Sequence, residues 1–166
     1  MKAQLSIEYY ASLIIFILFV GYIFFQLITT SPHFIREAKN ERLRIEAYQI
    51  SELLINDPGE PIDWNLPTET VKRFGLSSNS NKTNLLDMNK IIAFNDSCNT
   101  NYKNVRSLID TEYYFSINLN KTSGEKIENL IDCKPKINVT KQMKVSLSRV
   151  VALDSNEFAE LVVQMW

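Results

Sequence analysis

Polar and apolar positions are distributed very unevenly along this chain. From Tyr9 to Ile28 runs an uncharged stretch of 20 residues, 17 of them apolar. An α-helix rises about 1.5 Å per residue, so the stretch reaches about 30 Å, the depth of a bilayer's hydrocarbon core. A secretory signal peptide has a shorter apolar core, about 7–15 residues, with a small-x-small cleavage site after it. Ser12, Gly21 and Ser31 are the small polar breaks nearby and none makes such a site, so the stretch is expected to persist as one membrane-spanning helix.

The helical pattern carries on past this stretch. His33–Ile55 contains no Gly or Pro, and Leu43, Ala47, Ile50 and Leu54 fall at i, i+4, i+7 and i+11, one apolar stripe at helical spacing. Pro32 is expected to kink the helix, because its ring crowds the carbonyl of Ile28 and it lacks an N–H. The hydroxyls of Thr29, Thr30 and Ser31 are placed to back-bond to the backbone there. A helix from near Leu5 to Ile55 would be about 75 Å long. It should end at the breaker cluster Asn56-Asp57-Pro58-Gly59-Glu60-Pro61, with Trp64 as a core plug beside that loop.

Shorter elements follow. Leu86–Phe94 and Tyr102–Asp110 read as short helices, and Tyr113–Leu119 as a strand with Tyr113, Phe115, Ile117 and Leu119 on one face. Lys136–Thr140 is a further strand candidate. Lys144–Leu153, a turn at Asp154–Glu157 and a return through Phe158–Trp166 form a β-hairpin, its last strand, with Trp166 at its end, expected to be tucked into the core. The expected class is α+β: a long Pro-kinked N-terminal helix continuing into a stalk that packs on a small antiparallel sheet. Residues 4–31 form the hydrophobic helix, 32–56 its amphipathic continuation and 57–166 the globular domain.

Composition sharpens this division. Averages of 45% hydrophobic and 22% charged residues look ordinary, yet seven of the chain's 18 aromatics sit in Tyr9–Ile28, and 15 asparagines lie between Asn56 and Asn156. A greasy end joined to a polar body excludes a purely cytosolic enzyme, a polytopic transporter and a disordered polyelectrolyte. The net charge of -1 gives no global attraction to nucleic acid, and no compact basic patch stands out along the chain, so no nucleic-acid partner is expected. Four glycines offer no phosphate loop, and the single histidine, His33, supplies neither a triad nor a metal site. No cofactor, no metal and no catalysed reaction are expected.

Cys98 and Cys133 are the only cysteines and match no zinc spacing. In an external domain they pair as a disulfide; the alternative is two separate buried thiols. Four N-x-S/T sequons begin at Asn81, Asn95, Asn120 and Asn138, all beyond the apolar stretch, and mark candidate glycosylation sites.

The opening residues, Lys2-Ala3-Gln4-Leu5-Ser6-Ile7-Glu8, put one carboxylate at the edge of the apolar helix. Taken alone, Glu8 reads as an interfacial acid in the first turn, where the helix dipole favours an anion. The segment also resembles the class III signal peptide of archaeal type IV pilin-like proteins. That family shows a basic residue, a small residue, then Q-x-S-x-E ahead of a hydrophobic stretch; here these are Lys2, Ala3, Gln4, Ser6 and Glu8. The resemblance implies residues 1–3 as a leader and cleavage of Ala3–Gln4 by a prepilin peptidase on the cytoplasmic side. Gln4 then becomes the new N-terminus, and Glu8 stands where type IV pilins carry a glutamate. The region around Asp57-Pro58-Gly59-Glu60-Pro61, Trp64 and Arg73-Phe74-Gly75-Leu76 also resembles the turn that follows the long helix in a subset of these proteins.

What the resemblance implies is a cell-surface filament or pseudopilus subunit, minor or adhesive, with an extracellular C-terminal domain. Its partners would be the prepilin peptidase, other pilin-like subunits, the membrane and, indirectly, an assembly platform and its ATPase. The freed amine of Gln4 would pair with Glu8 of a neighbouring subunit, setting register, or with Glu8 of its own chain. Flanking charge argues the other way on orientation, since Arg36, Lys39, Arg42 and Arg44 follow the apolar stretch; the signal resemblance and the body's external features override it. Two rivals remain at this stage: a membrane-anchored binding domain that never polymerises, and a membrane-tethered external enzyme.

Overall fold

The computed structural model describes residues 2–66, 70–78, 84–123, 126–136 and 144–166. The chain divides into two compact units, residues 1–40 and residues 41–166. Helix α1, Lys2–Asn56, carries the apolar stretch and contains Pro32 without ending there. Just before the proline, the Thr29 hydroxyl lies 3.0 Å from the carbonyls of Phe25 and Gln26, and the Thr30 hydroxyl donates to Gln26. These are the expected back-bonds, made where proline removes one helical donor.

The second unit is an α+β fold. Its remaining elements are β1 (Leu85–Leu86), α2 (Met88–Ile109), β2 (Phe115–Ser123), β3 (Lys126–Cys133), β4 (Val145–Leu153) and β5 (Phe158–Met165). The sheet order is β1-β4-β5-β2-β3. Pairing is antiparallel throughout except at β1, which runs parallel to β4 with Leu85 opposite Ala152. The expected antiparallel sheet is therefore a mixed one. The two-residue β1 was illegible because it is held by neighbouring backbone contacts, such as the Asp87 N–H donating to Leu76 at 2.9 Å, and not by a pattern of its own.

The inner face of the sheet carries Phe115, Ile117, Leu119, Ile131, Leu161 and Val163, all fully buried. The α1 stripe supplies the helical side of this core: Leu43, Ala47 and Leu54 are wholly buried and Ile50 nearly so. Arg149 of β4 reaches Glu52 and Ser51 of α1, adding a polar clamp at the margin. Trp64 is the expected core plug: its indole N–H donates to Gly75 at 2.9 Å, and it stacks edge-on with Phe74, which meets Phe94 in the same way. Gly59 adopts φ +87°, a region open to glycine, and its N–H donates to Asp57.

The two expected helices are present, joined end to end across a kink within α2. Asp87 caps α2 by accepting the N–H groups of Asn89 and Lys90, and Asp110 in left-handed geometry closes it. Asn101, at φ -146° and ψ 76°, interrupts it between the two predicted segments. The strand expected over Tyr113–Leu119 begins at Phe115 and extends to Ser123. The hairpin of β4 and β5 falls where expected, with Val145 opposite Met165 and Ala152 opposite Phe158. Trp166 lies just past β5, half-buried, its backbone paired with Tyr114. Strand β3 was not expected, and the further strand proposed at Lys136–Thr140 lies, from residue 137 on, outside the described residues.

Candidate functional site

Two features stand out, one in each unit. Along Tyr9–Ile28 every side chain is exposed apart from the half-buried Val20. Phe16, Phe25 and Ile28 show 64%, 68% and 70% of their surface. Burying one such side chain is worth about 1.5–3 kcal/mol, and soluble monomers rarely expose more than a few hundred Å² of contiguous apolar surface. A helix apolar all round belongs in lipid or among other helices. The chain thus carries one helix long and apolar enough to cross a membrane, and none of its most apolar window is buried against the rest of the chain.

Glu8 is exposed at the head of this surface. Lys2, Ala3, Gln4 and Ser6 lie in the opening turns of α1. At the far end, His33 faces Glu37 one turn on at 3.9 Å, both well exposed. Among the described residues no group of three or more His, Cys, Asp or Glu side chains is placed to hold a metal ion.

In the second unit Cys98 of α2 and Cys133 of β3 form a disulfide across a Cα separation of 5.5 Å, which decides between the bridge and two thiols. Asn95 turns its side-chain carbonyl to β3, accepting the Asp132 N–H at 3.0 Å. Asn120 is half-buried on β2, beside the bulge. Asn81 and Asn138 lie outside the described residues.

The disulfide forms one edge of a cleft of about 590 Å³ that no sequence motif announced. It opens where Asn101 breaks α2. The Asn101 side chain accepts the Asn104 N–H at 3.1 Å, restarting the helix after the break. Lys103 and Arg106 enter from α2, Lys134 and Lys136 from the segment after β3, and among the described residues no carboxylate side chain lines the cleft. Arg106 is fixed: its Nε donates to the Thr111 carbonyl at 3.2 Å, a terminal nitrogen donates to Glu112, and the guanidinium sits 4.6 Å from the Tyr114 ring centre. The Tyr102 hydroxyl donates to the Phe115 carbonyl at 2.8 Å and accepts its N–H at 3.0 Å. Burial holds that phenol above its usual pKa, so it stays neutral.

Lys134 pairs with Asp132 at 2.7 Å. Lys103 and Lys136 are exposed and make no ion pair among the described residues. Along the chain these cations form no basic run; the disulfide and the break in α2 gather them. Such a cleft attracts anions, and among the described residues its lining holds no carboxylate or histidine side chain.

Against models of known protein families, curated proteins and solved structures, this chain matches none.

Proposed function

We propose that this chain is a type IV pilin-like subunit, minor or adhesive, which a prepilin peptidase cuts between Ala3 and Gln4. The trimmed subunit packs through Tyr9–Ile28 against other pilin-like helices in a cell-surface filament or pseudopilus, and the domain beyond faces outward. No reaction is catalysed. The observation that carries this reading is the all-round exposed apolar surface of α1 with the single carboxylate of Glu8 at its head, directly after the residues of the signal resemblance.

The physical logic is charge pairing. A carboxylate inside hydrocarbon or a helical bundle costs several kcal/mol unless a cation meets it. Cleavage would create that cation on Gln4, four residues from Glu8, at the place where stacked subunits need a register mark. A disulfide and sequons suit an external domain.

Mass spectrometry of the N-terminus, on chain purified from its producing cells, tests the cut: a peptide beginning at Gln4 is expected, and an intact Met1 or a cut after Ile28 overturns it. Glu8→Ala tests assembly. The variant should enter the membrane normally yet be lost from filaments; unchanged incorporation would leave Glu8 merely interfacial and favour a non-polymerising anchored domain.

A further inference from the structure

We propose that the cleft between α2 and the segment after β3 binds an acidic saccharide, a sugar bearing carboxylate or sulfate groups. Charge segregation points first to an anion. The chain as a whole is slightly acidic, with a net charge of -1, yet four cations line this cleft, one of them, Lys134, paired with Asp132, and among the described residues no carboxylate side chain joins the lining. Lys103 and Lys136 have no carboxylate partner among the described residues, so both are available to a ligand.

Size and lining narrow the anion. A volume of about 590 Å³ falls within the range of small-molecule clefts, about 300–1,000 Å³, and exceeds what an inorganic ion fills. Between the cations lie Asn99, Thr100 and Ser107, uncharged donors and acceptors of the kind that match sugar hydroxyls. A single-stranded nucleic acid asks for something else, a long basic track with successive bases stacked on open aromatic faces. Here the cations close round one pocket, and Arg106 stacks over Tyr114.

The walls are also fixed in advance. The disulfide ties α2 to β3 at one end, Arg106 is pinned by two backbone carbonyls, and Tyr102 is held by both backbone groups of Phe115. A prearranged site loses little side-chain freedom when it is filled. None of this depends on filament assembly, since an anchored chain that never polymerised would carry the same cleft.

The test is calorimetric titration of the full chain in detergent micelles at about 0.15 M salt, where distant charges are screened. The probes are trigalacturonate and a chondroitin sulfate tetrasaccharide, which separate carboxylate from sulfate recognition, with maltotriose, triglutamate and a short dT oligomer as comparisons. Saturable binding of at least one acidic saccharide is expected, with maltotriose at least about tenfold weaker. Lys103→Glu and Lys136→Glu should each weaken binding about tenfold, as expected for a lost charge-assisted hydrogen bond. The paired variant Thr100→Ala with Ser107→Ala should weaken the saccharide severalfold and leave triglutamate unaffected.

Should a charge reversal disturb the melting temperature, Lys103→Gln with Lys136→Gln replaces it and should still weaken binding severalfold. The proposal is overturned if neither acidic saccharide binds, if affinity survives the loss of both lysine charges, or if triglutamate or the dT oligomer binds as tightly.

Discussion

Gly75, in the turn after α1, has no room for a side chain. A Cβ there would lie 2.1 Å from the Asp57 carbonyl oxygen and 2.4 Å from the Gly59 backbone nitrogen. Neither can swing aside as a side chain could, so Gly75→Ala should cost about 1–3 kcal/mol and lower the melting temperature by several degrees in a thermal scan. Lys90 secures the same turn from the other side, its ammonium donating to Pro58 at 2.7 Å and Ser77 at 3.0 Å; burial pushes its pKa down, against the pull of Asp87, Asp63 and Asp57. Glu52 supplies a pH-dependent contact. Its hydrogen bond from Arg149 holds the carboxyl below its usual pKa, with Tyr48 assisting. A carboxyl depressed in the folded state stabilises above its unfolded pKa, about 4.3, and that contribution is lost as pH falls through the folded value. Wild type should therefore exceed Glu52→Gln in urea stability at neutral pH, with the gap closing as the pH is lowered below the ordinary carboxylate range. These residue-level contacts were hidden in the sequence because each joins distant segments. Trp64 was the exception, since a large aromatic beside a cluster of breakers has few places to go but inward.

Among the elements, what could be read along the chain was whatever kept one period. The stripe from Leu43 to Leu54 holds helical spacing over three turns, and the final hairpin alternates cleanly enough that β4 and β5 fall where expected. Strand β3 breaks its own alternation. Leu119 pairs with Ile131 and Asn120 with Asn129, so Leu130 is an extra residue in the bulge. Ile127 is consequently 74% exposed while Ile131 is buried, although both sit at even spacing. A period-two search sees no strand there. The cleft was invisible for a related reason: its cations come from two short segments about 30 residues apart, and the disulfide is what brings these together. Closing a loop across 35 residues contributes about 4 kcal/mol by chain entropy. Cys98→Ser with Cys133→Ser should reduce stability by roughly that amount in denaturant unfolding. If the cleft binds as proposed, affinity for trigalacturonate should fall along with it.

At the scale of the whole molecule, the buried core begins at Leu43 and ends at Met165, within one compact unit. Among the described residues, none N-terminal to it is buried, so residues 41–166 produced alone should be soluble, form the Cys98–Cys133 bridge and melt cooperatively by circular dichroism; aggregation or a broad, featureless melt would refute that. The full chain should instead require detergent, because the surface of Tyr9–Ile28 has no cover of its own. The broad division into a greasy helix and an α+β body was legible because it rests on solvent preference summed over many residues, which no single contact overrides. The two margins of the sheet have a further consequence for crowding. One is the two-residue β1; the other is β3, whose phase slips halfway and whose charged Glu128 stands exposed, with the exposed Lys134 just past its end. Neither margin offers a straight rail for a foreign strand to zip onto. If the chain assembles as proposed, many copies held shoulder to shoulder can therefore stay separate bodies and resist fusing edge to edge into fibrous aggregate.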